Sequence, residues 1–161
     1  MQAVLGRKGD YSVRAMLQLV RGDGRQKARA IAREMDIPDR YVTQILANLV
    51  NHELLVATAG REGGYELARD PEAISLLEVV EAAEGPVRLE RCVLRGGSCE
   101  WRDACPVHEA WLRAQSAMIR ELAGTSFADL ARIDAEISAD SHRPSDDGPA
   151  HPEPTDRRGG E

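Results

Sequence analysis

The sequence predicts a mainly α fold: a winged helix-turn-helix with a β-hairpin wing, then a cysteine-bearing loop and a long C-terminal helix. Three observations carry that expectation. Two short amphipathic helices flank a tight turn at Asp36-Ile-Pro-Asp39, and two short strands come next around Gly60-Arg-Glu-Gly-Gly64. All three cysteines then fall in one stretch, directly ahead of a long periodic segment. The 161 residues have room for one ordinary domain or two very small ones. Hydrophobic residues make up 42% but aromatics only 4%, so the core has to be built from Leu, Val, Ile and Ala.

Asp10 to Arg21 reads as a helix: Tyr11, Ala15 and Leu19 share a stripe that Val13, Met16, Leu17 and Val20 widen, and Gly22-Asp-Gly24 ends it. Arg25 to Met35 reads as a shorter helix with Ala28, Ile31, Ala32 and Met35 inward. Asp39 can cap the next helix, its carboxylate accepting from the first-turn amides. That helix runs to about Asn51, with Val42, Ile45, Leu46, Leu49 and Val50 forming a buried face. Arg40, Thr43, Gln44, Ala47, Asn48 and Asn51 fall on the opposite side. Such side chains suit base edges: Arg for guanine, Gln or Asn for adenine, Thr for the thymine methyl. Any solvated helix also shows a polar face, so this one gains its meaning from the hairpin next to it in the chain. Leu54 to Thr58 reads as a strand and Tyr65 to Ala68 as its return, placing Arg61 at a hairpin tip. There it could meet phosphate or a minor groove, or be a plain surface arginine.

Asp70-Pro71 breaks the pattern, which divides the chain into a winged helix-turn-helix region, 1–70, and a second region, 71–137. Ile74 to Ala83 is the next helix, stopped by Gly85-Pro86. Pro106 suits a first helical position, which puts Cys105 near the N-cap of a helix running to about Leu122. Its stripe of Val107, Trp111, Ala114, Met118 and Leu122 suits a dimerisation helix, or packing within its own chain. Thr125-Ser126 caps a last helix, Phe127 to Ile137. From Ser138 onward there is no periodicity and four of the eight prolines occur, so 138–161 reads as a disordered tail.

The cysteines stand at C-x6-C-x5-C, Cys92, Cys99 and Cys105, with His108 three positions beyond the last. Thiolates are the usual ligands of iron–sulfur clusters. A helix start at Cys105 would favour its thiolate, and His108 one turn on could reach a metal that Cys105 binds. Gly96-Gly97 eases the turn between them. Structural zinc usually takes closely spaced ligand pairs, a redox thiol switch would need only two of the cysteines, and three unrelated cysteines would not be confined to one stretch.

No apolar run approaches a membrane span and the N-terminus lacks a signal-peptide pattern, so the expectation is a cytoplasmic protein without membrane contact or structural disulfides. The net charge of −6 is unevenly placed. Residues 1–68 carry ten Lys/Arg against eight Asp/Glu, whereas the remainder carries 11 basic and 19 acidic residues. Only the N-terminal part suits phosphate. No phosphate loop, nucleophile elbow or paired-carboxylate constellation is present, which argues against an enzyme.

Together these residues resemble a known family, the bacterial iron–sulfur winged-helix regulators that include IscR and NsrR. The resemblance runs from about Leu5 to Ile137. It rests on Lys8-Gly-Asp-Tyr11 with Ala15-Met-Leu17, on Ile37 with Tyr41 and Gln44, and on Gly60-Arg-Glu-Gly-Gly-Tyr65 with Leu67. Ile74-Ser-Leu-Leu-Glu-Val79, Gly85-Pro86, and Arg91-Cys92 with Cys99, Cys105, His108 and Trp111 complete it. The resemblance implies a homodimer that binds a double-stranded DNA operator under the control of an iron–sulfur cluster. With the recognition helix and hairpin read above, Arg40, Tyr41, Thr43, Gln44, Asn48 and Arg61 are the expected DNA-contacting set. It leaves two ligand sets open. Cys92, Cys99, Cys105 and His108 match a 2Fe–2S arrangement, the expectation preferred here, although the first gap is one residue longer than in the family. Asp10 matches the position from which the partner subunit's aspartate completes a 4Fe–4S site in other members. A different class of function, an iron–sulfur carrier or assembly partner using the winged helix as a protein interface, is the alternative, alongside a zinc-stabilised regulator.

Overall fold

The computed structural model describes residues 5–22, 24–86 and 105–139. Helices α1 (Arg7–Arg21), α2 (Ala28–Glu34) and α3 (Asp39–Asn51) are followed by strands β1 (Leu55–Thr58) and β2 (Gly64–Leu67). A single 3-10 turn at Pro71–Ala73 leads into α4 (Leu76–Glu84), and α5 (His108–Gly124) and α6 (Phe127–Ala139) come last among the described residues. Cys92, Cys99 and the tail from residue 140 lie outside the described residues.

Several helix starts differ from the sequence expectation, each for a physical reason. α1 begins at Arg7 rather than Asp10, and its cap comes from a distant residue. The Gly9 amide donates to Glu84 Oε1 at 2.9 Å, and a Cβ on Gly6 or Gly9 would sit 2.7 or 2.9 Å from that same oxygen. Two glycines therefore let a carboxylate reach the positive end of the helix. α2 begins at Ala28 rather than Arg25, because Gln26 is committed to the wing. Its amide donates to the Tyr65 carbonyl at 2.9 Å, and the Tyr65 amide donates back at 2.8 Å. α3 is preceded by Pro38 at its N-cap, with no side-chain cap bond. Asp39 is thus the first helical residue and not the cap expected of it.

β1 and β2 pair antiparallel in the register Leu55–Leu67, Val56–Glu66, Ala57–Tyr65 and Thr58–Gly64. A Cβ on Gly64 would lie 2.5 Å from the Gln26 carbonyl oxygen, so this close approach requires glycine.

The second half of the described chain docks onto the first through two similar caps. Ser75 and Glu78 form a capping box at α4: the Glu78 amide donates to Ser75 Oγ at 3.3 Å and the Ser75 amide donates to Glu78 Oε2 at 2.8 Å. At α6 the Asp129 amide donates to Ser126 Oγ at 3.1 Å. The two caps adjoin, with the Leu76 amide donating to the Thr125 carbonyl at 2.8 Å and the Phe127 amide to the Ile74 carbonyl at 2.9 Å. This junction seats Phe127, fully buried, in one continuous apolar cluster with Met16, Ile31, Leu46, Leu49, Leu54, Ile74 and Val79. Leu, Ile, Val, Met and Ala fill nearly all of that cluster, as the composition requires. Arg21 of α1 forms an ion pair with Asp134 of α6 across the same seam.

Candidate nucleic-acid interface and metal site

α3 turns Val42, Ile45, Leu46 and Leu49 into the core. Arg40, Thr43, Gln44, Ala47 and Asn51 are consequently exposed on its far side. Tyr41 is half-buried, its ring centroid 5.7 Å from that of Tyr11 on α1. The Arg40 guanidinium lies over the Tyr41 ring, 4.8 Å from its centroid. A cation held on an aromatic face is restrained without losing its charge, so Arg40 is pre-positioned at the start of α3. Asn48 stands apart from this exposed row. It is half-buried, and its side-chain amide donates to the Ala82 carbonyl of α4 at 2.7 Å. The geometry places Asn48 on the seam between α3 and α4.

Arg61 is exposed at the turn between β1 and β2. Sequence reasoning missed the residue that holds this turn. Lys27 Nζ donates to the Arg61 carbonyl at 2.6 Å and to the Gly60 carbonyl at 3.2 Å. No local pattern marks such a contact, since the partners are 33 and 34 positions apart.

Of the three cysteines, Cys105 is within the described residues, as a half-buried free thiol. Expected near the helix N-cap, it lies two residues ahead of it. Cys105 to Val107 form a turn, Val107 is the N-cap, and α5 starts at His108. The Pro106 ring and the αR backbone of Val107 start the helical path, but the His108 amide donates to the Cys105 carbonyl at 3.1 Å, the short closure of a turn. Cys105 thus precedes the helix, and His108, its first residue, is also half-buried. Asp10 is engaged by Arg14, whose Nε donates to Oδ1 at 3.0 Å. Among the described residues, no three His, Cys, Asp or Glu side chains gather as a metal site.

On α5 the expected stripe is split. Trp111 and Leu122 are half-buried, whereas Val107, Ala114 and Met118 are exposed. The face turned toward the rest of the chain carries Leu112, Gln115 and Ile119 instead. No described helix is long and apolar enough to cross a membrane.

Residues 5–133 match the family model of Rrf2, described as an iron-dependent transcriptional regulator. The IscR transcriptional regulator of Sodalis glossinidius is 34% identical over 106 residues, which is 65% of this chain and 64% of that protein. The solved structure of CymR, the global cysteine regulator of B. subtilis, superposes with a TM-score of 0.69 at 28% identity, covering 83% of this chain and 98% of that one. That of T. potens IscR gives 0.68 at 26% identity, covering 86% and 92%. These relatives are regulators of transcription, not enzymes, and their winged-helix architecture is the one described above. The chain belongs to the Rrf2 family of helix-turn-helix transcriptional regulators.

Proposed function

We propose that this protein is a homodimeric repressor that binds a double-stranded DNA operator and senses redox state, nitric oxide or iron–sulfur status through a bound iron–sulfur cluster. The observation that carries the DNA-binding part is the exposed row Arg40, Thr43 and Gln44 on α3, with Arg61 on the wing beyond it. Together they offer hydrogen-bond donors and acceptors for base edges and cations for phosphate.

Cys92, Cys99 and Cys105 would hold the cluster, a donor set of thiolates that suits iron–sulfur chemistry. His108 is the preferred fourth ligand, giving a 2Fe–2S centre; the partner subunit's Asp10 would instead complete a 4Fe–4S centre. Two observations favour His108. It is half-buried one turn from Cys105, and Asp10 already has a partner in Arg14. The Asp10–Arg14 pair is exposed and contributes at most about 1 kcal/mol, so it biases the choice without forbidding the other ligand. A bound cluster would supply a group that changes charge and ligation when oxidised or attacked by nitric oxide. The homodimer is supported by the exposed Val107 at the N-cap of α5, by Ala114 and Met118 on that helix and by Ile133 and Ile137 on α6.

Protein purified without oxygen is expected to be coloured, to contain iron and sulfide, and to bind a duplex that it has itself enriched from a random-sequence pool. Affinity should fall steeply with salt, as phosphate contacts require, and should change on exposure to air or nitric oxide. A colourless protein without iron or sulfide removes the cluster. A flat salt response removes DNA binding.

A further inference from the structure

The wing is too short to hold its own position. Two paired strands of four residues are marginal alone, and Val56, Ala57 and Thr58 of β1 are all exposed. Three consecutive residues ahead of α2 strap it down. Arg25 Nη2 donates to Glu66 Oε1 at 2.7 Å on β2. Gln26 pairs by backbone with Tyr65, and its side chain is fixed to α1 by bonds of 2.9 and 3.0 Å to Gln18. Lys27, the N-cap of α2, accepts through its own carbonyl from Ala30 at 3.0 Å and Ile31 at 3.1 Å, so its backbone is rigid. From that anchor its ammonium reaches the Gly60 and Arg61 carbonyls in the turn.

We infer that Lys27 is a positioning residue for the wing: by holding the Gly60 and Arg61 carbonyls it sets where the Arg61 side chain meets DNA. This rests on the proposed DNA-binding role of the wing. The two acceptors are backbone carbonyls, so the contact pairs Lys27 with no carboxylate. Among the described residues Arg61 has no ion pair, so its guanidinium is available to an outside phosphate or base. The bond at 2.6 Å to the backbone of Arg61 itself is the direct link between clamp and contact.

The test is a double-mutant cycle on the full chain. Lys27→Met keeps the aliphatic stem and removes the donors, and Lys27→Arg restores a cation. Each is combined with Arg61→Ala and titrated against the duplex enriched from a random pool, with amide exchange of the wing measured without DNA. Arg61→Ala alone should weaken binding about tenfold. Lys27→Met should weaken it comparably with Arg61 present, and less than about twofold once Arg61 is gone. Lys27→Arg should recover part of the loss, and Lys27→Met should speed exchange at Glu62 and Gly63. Equal losses in both backgrounds, or unchanged exchange, overturn the clamp and make Lys27 at most a direct phosphate contact. No loss from Lys27→Met while Arg61→Ala weakens binding overturns the clamp alone. No loss from Arg61→Ala overturns both the clamp and the role of the wing.

Discussion

Arg40 and Asn48 sit on the same helix, nominally on the same polar face, yet they are held in different ways. Arg40 is exposed and restrained only by the Tyr41 ring, an interaction contributing about 0.5–1 kcal/mol at an exposed site. Asn48 is committed to a carbonyl of α4. Mutation should separate the two roles. Gln44→Ala and Arg40→Ala should each weaken specific DNA binding by about 1–3 kcal/mol with the melting temperature unchanged, and gel-shift titration beside a thermal melt checks this. An unaltered dissociation constant removes the residue from the contacting set. Asn48→Ala should instead lower stability by about 1 kcal/mol, because the Ala82 carbonyl loses its donor. Lost affinity for the enriched duplex at unchanged stability would return Asn48 to the DNA-contacting set.

The elements owe their limits to capping more than to periodicity, which bears on how much the sequence could reveal. Hydrophobic spacing, together with cap and turn signals, located the six helices and two strands of the described residues, and spacing alone the inward residues Met16, Ile31, Leu46 and Leu49, since burial follows the 3.6 and 2.0 periods directly. It missed the start of α1, whose cap, Glu84, is 75 positions away. It missed the start of α2 because Gln26 pairs with Tyr65, and placed the start of α5 two residues early because a turn precedes it. The Ser75-x-x-Glu78 box was a local signal that would have set the start of α4. Of the candidate site, the exposed row on α3 and the wing tip could be read from the sequence. The Lys27 clamp and the Asn48 seam could not, because both depend on how distant elements pack.

The α4 cap also has a pH signature. Burial raises the Glu78 carboxyl, but the Ser75 amide, Arg69 and the Ser75 hydroxyl together outweigh it and hold the group below its ordinary 4.5. A depressed carboxyl contributes stability above its unfolded value and loses it as pH falls through the folded one. Glu78→Gln should therefore melt below the parent at pH 7, with the gap closing once pH drops below about 4.5. A gap of constant size across that range would show that the charge of Glu78 contributes nothing to the cap.

Across the whole molecule, one core joins both halves of the described chain: Ile74, Val79 and Phe127 pack with the helices that carry the proposed DNA-contacting row. The reader is therefore not an independent bead, and a change after α4 has a packed path to α1 through Glu84 and to α3 through Ala82. Among the described residues, several large apolar side chains left exposed lie on the last two helices, where Met118 is 49% and Ile137 51% exposed. Side chains of that size at helical spacing are suited to burial against a second copy. If the proposed homodimer forms through these helices, Met118→Asp should yield a monomer and weaken operator binding, as light scattering after gel filtration will report; a variant that stays dimeric moves the interface elsewhere.

The proposed sensing function stands or falls with an iron–sulfur cluster in the cysteine segment. Native mass spectrometry of the protein purified without oxygen is the sharpest test of that cluster. The expected species is a dimer with the added mass of one 2Fe–2S cluster per chain, lost in His108→Ala and kept in Asp10→Ala. A 4Fe–4S mass lost in Asp10→Ala would transfer the fourth ligand to the partner subunit's Asp10. A mass corresponding to zinc, or to no metal at all, would contradict the cluster.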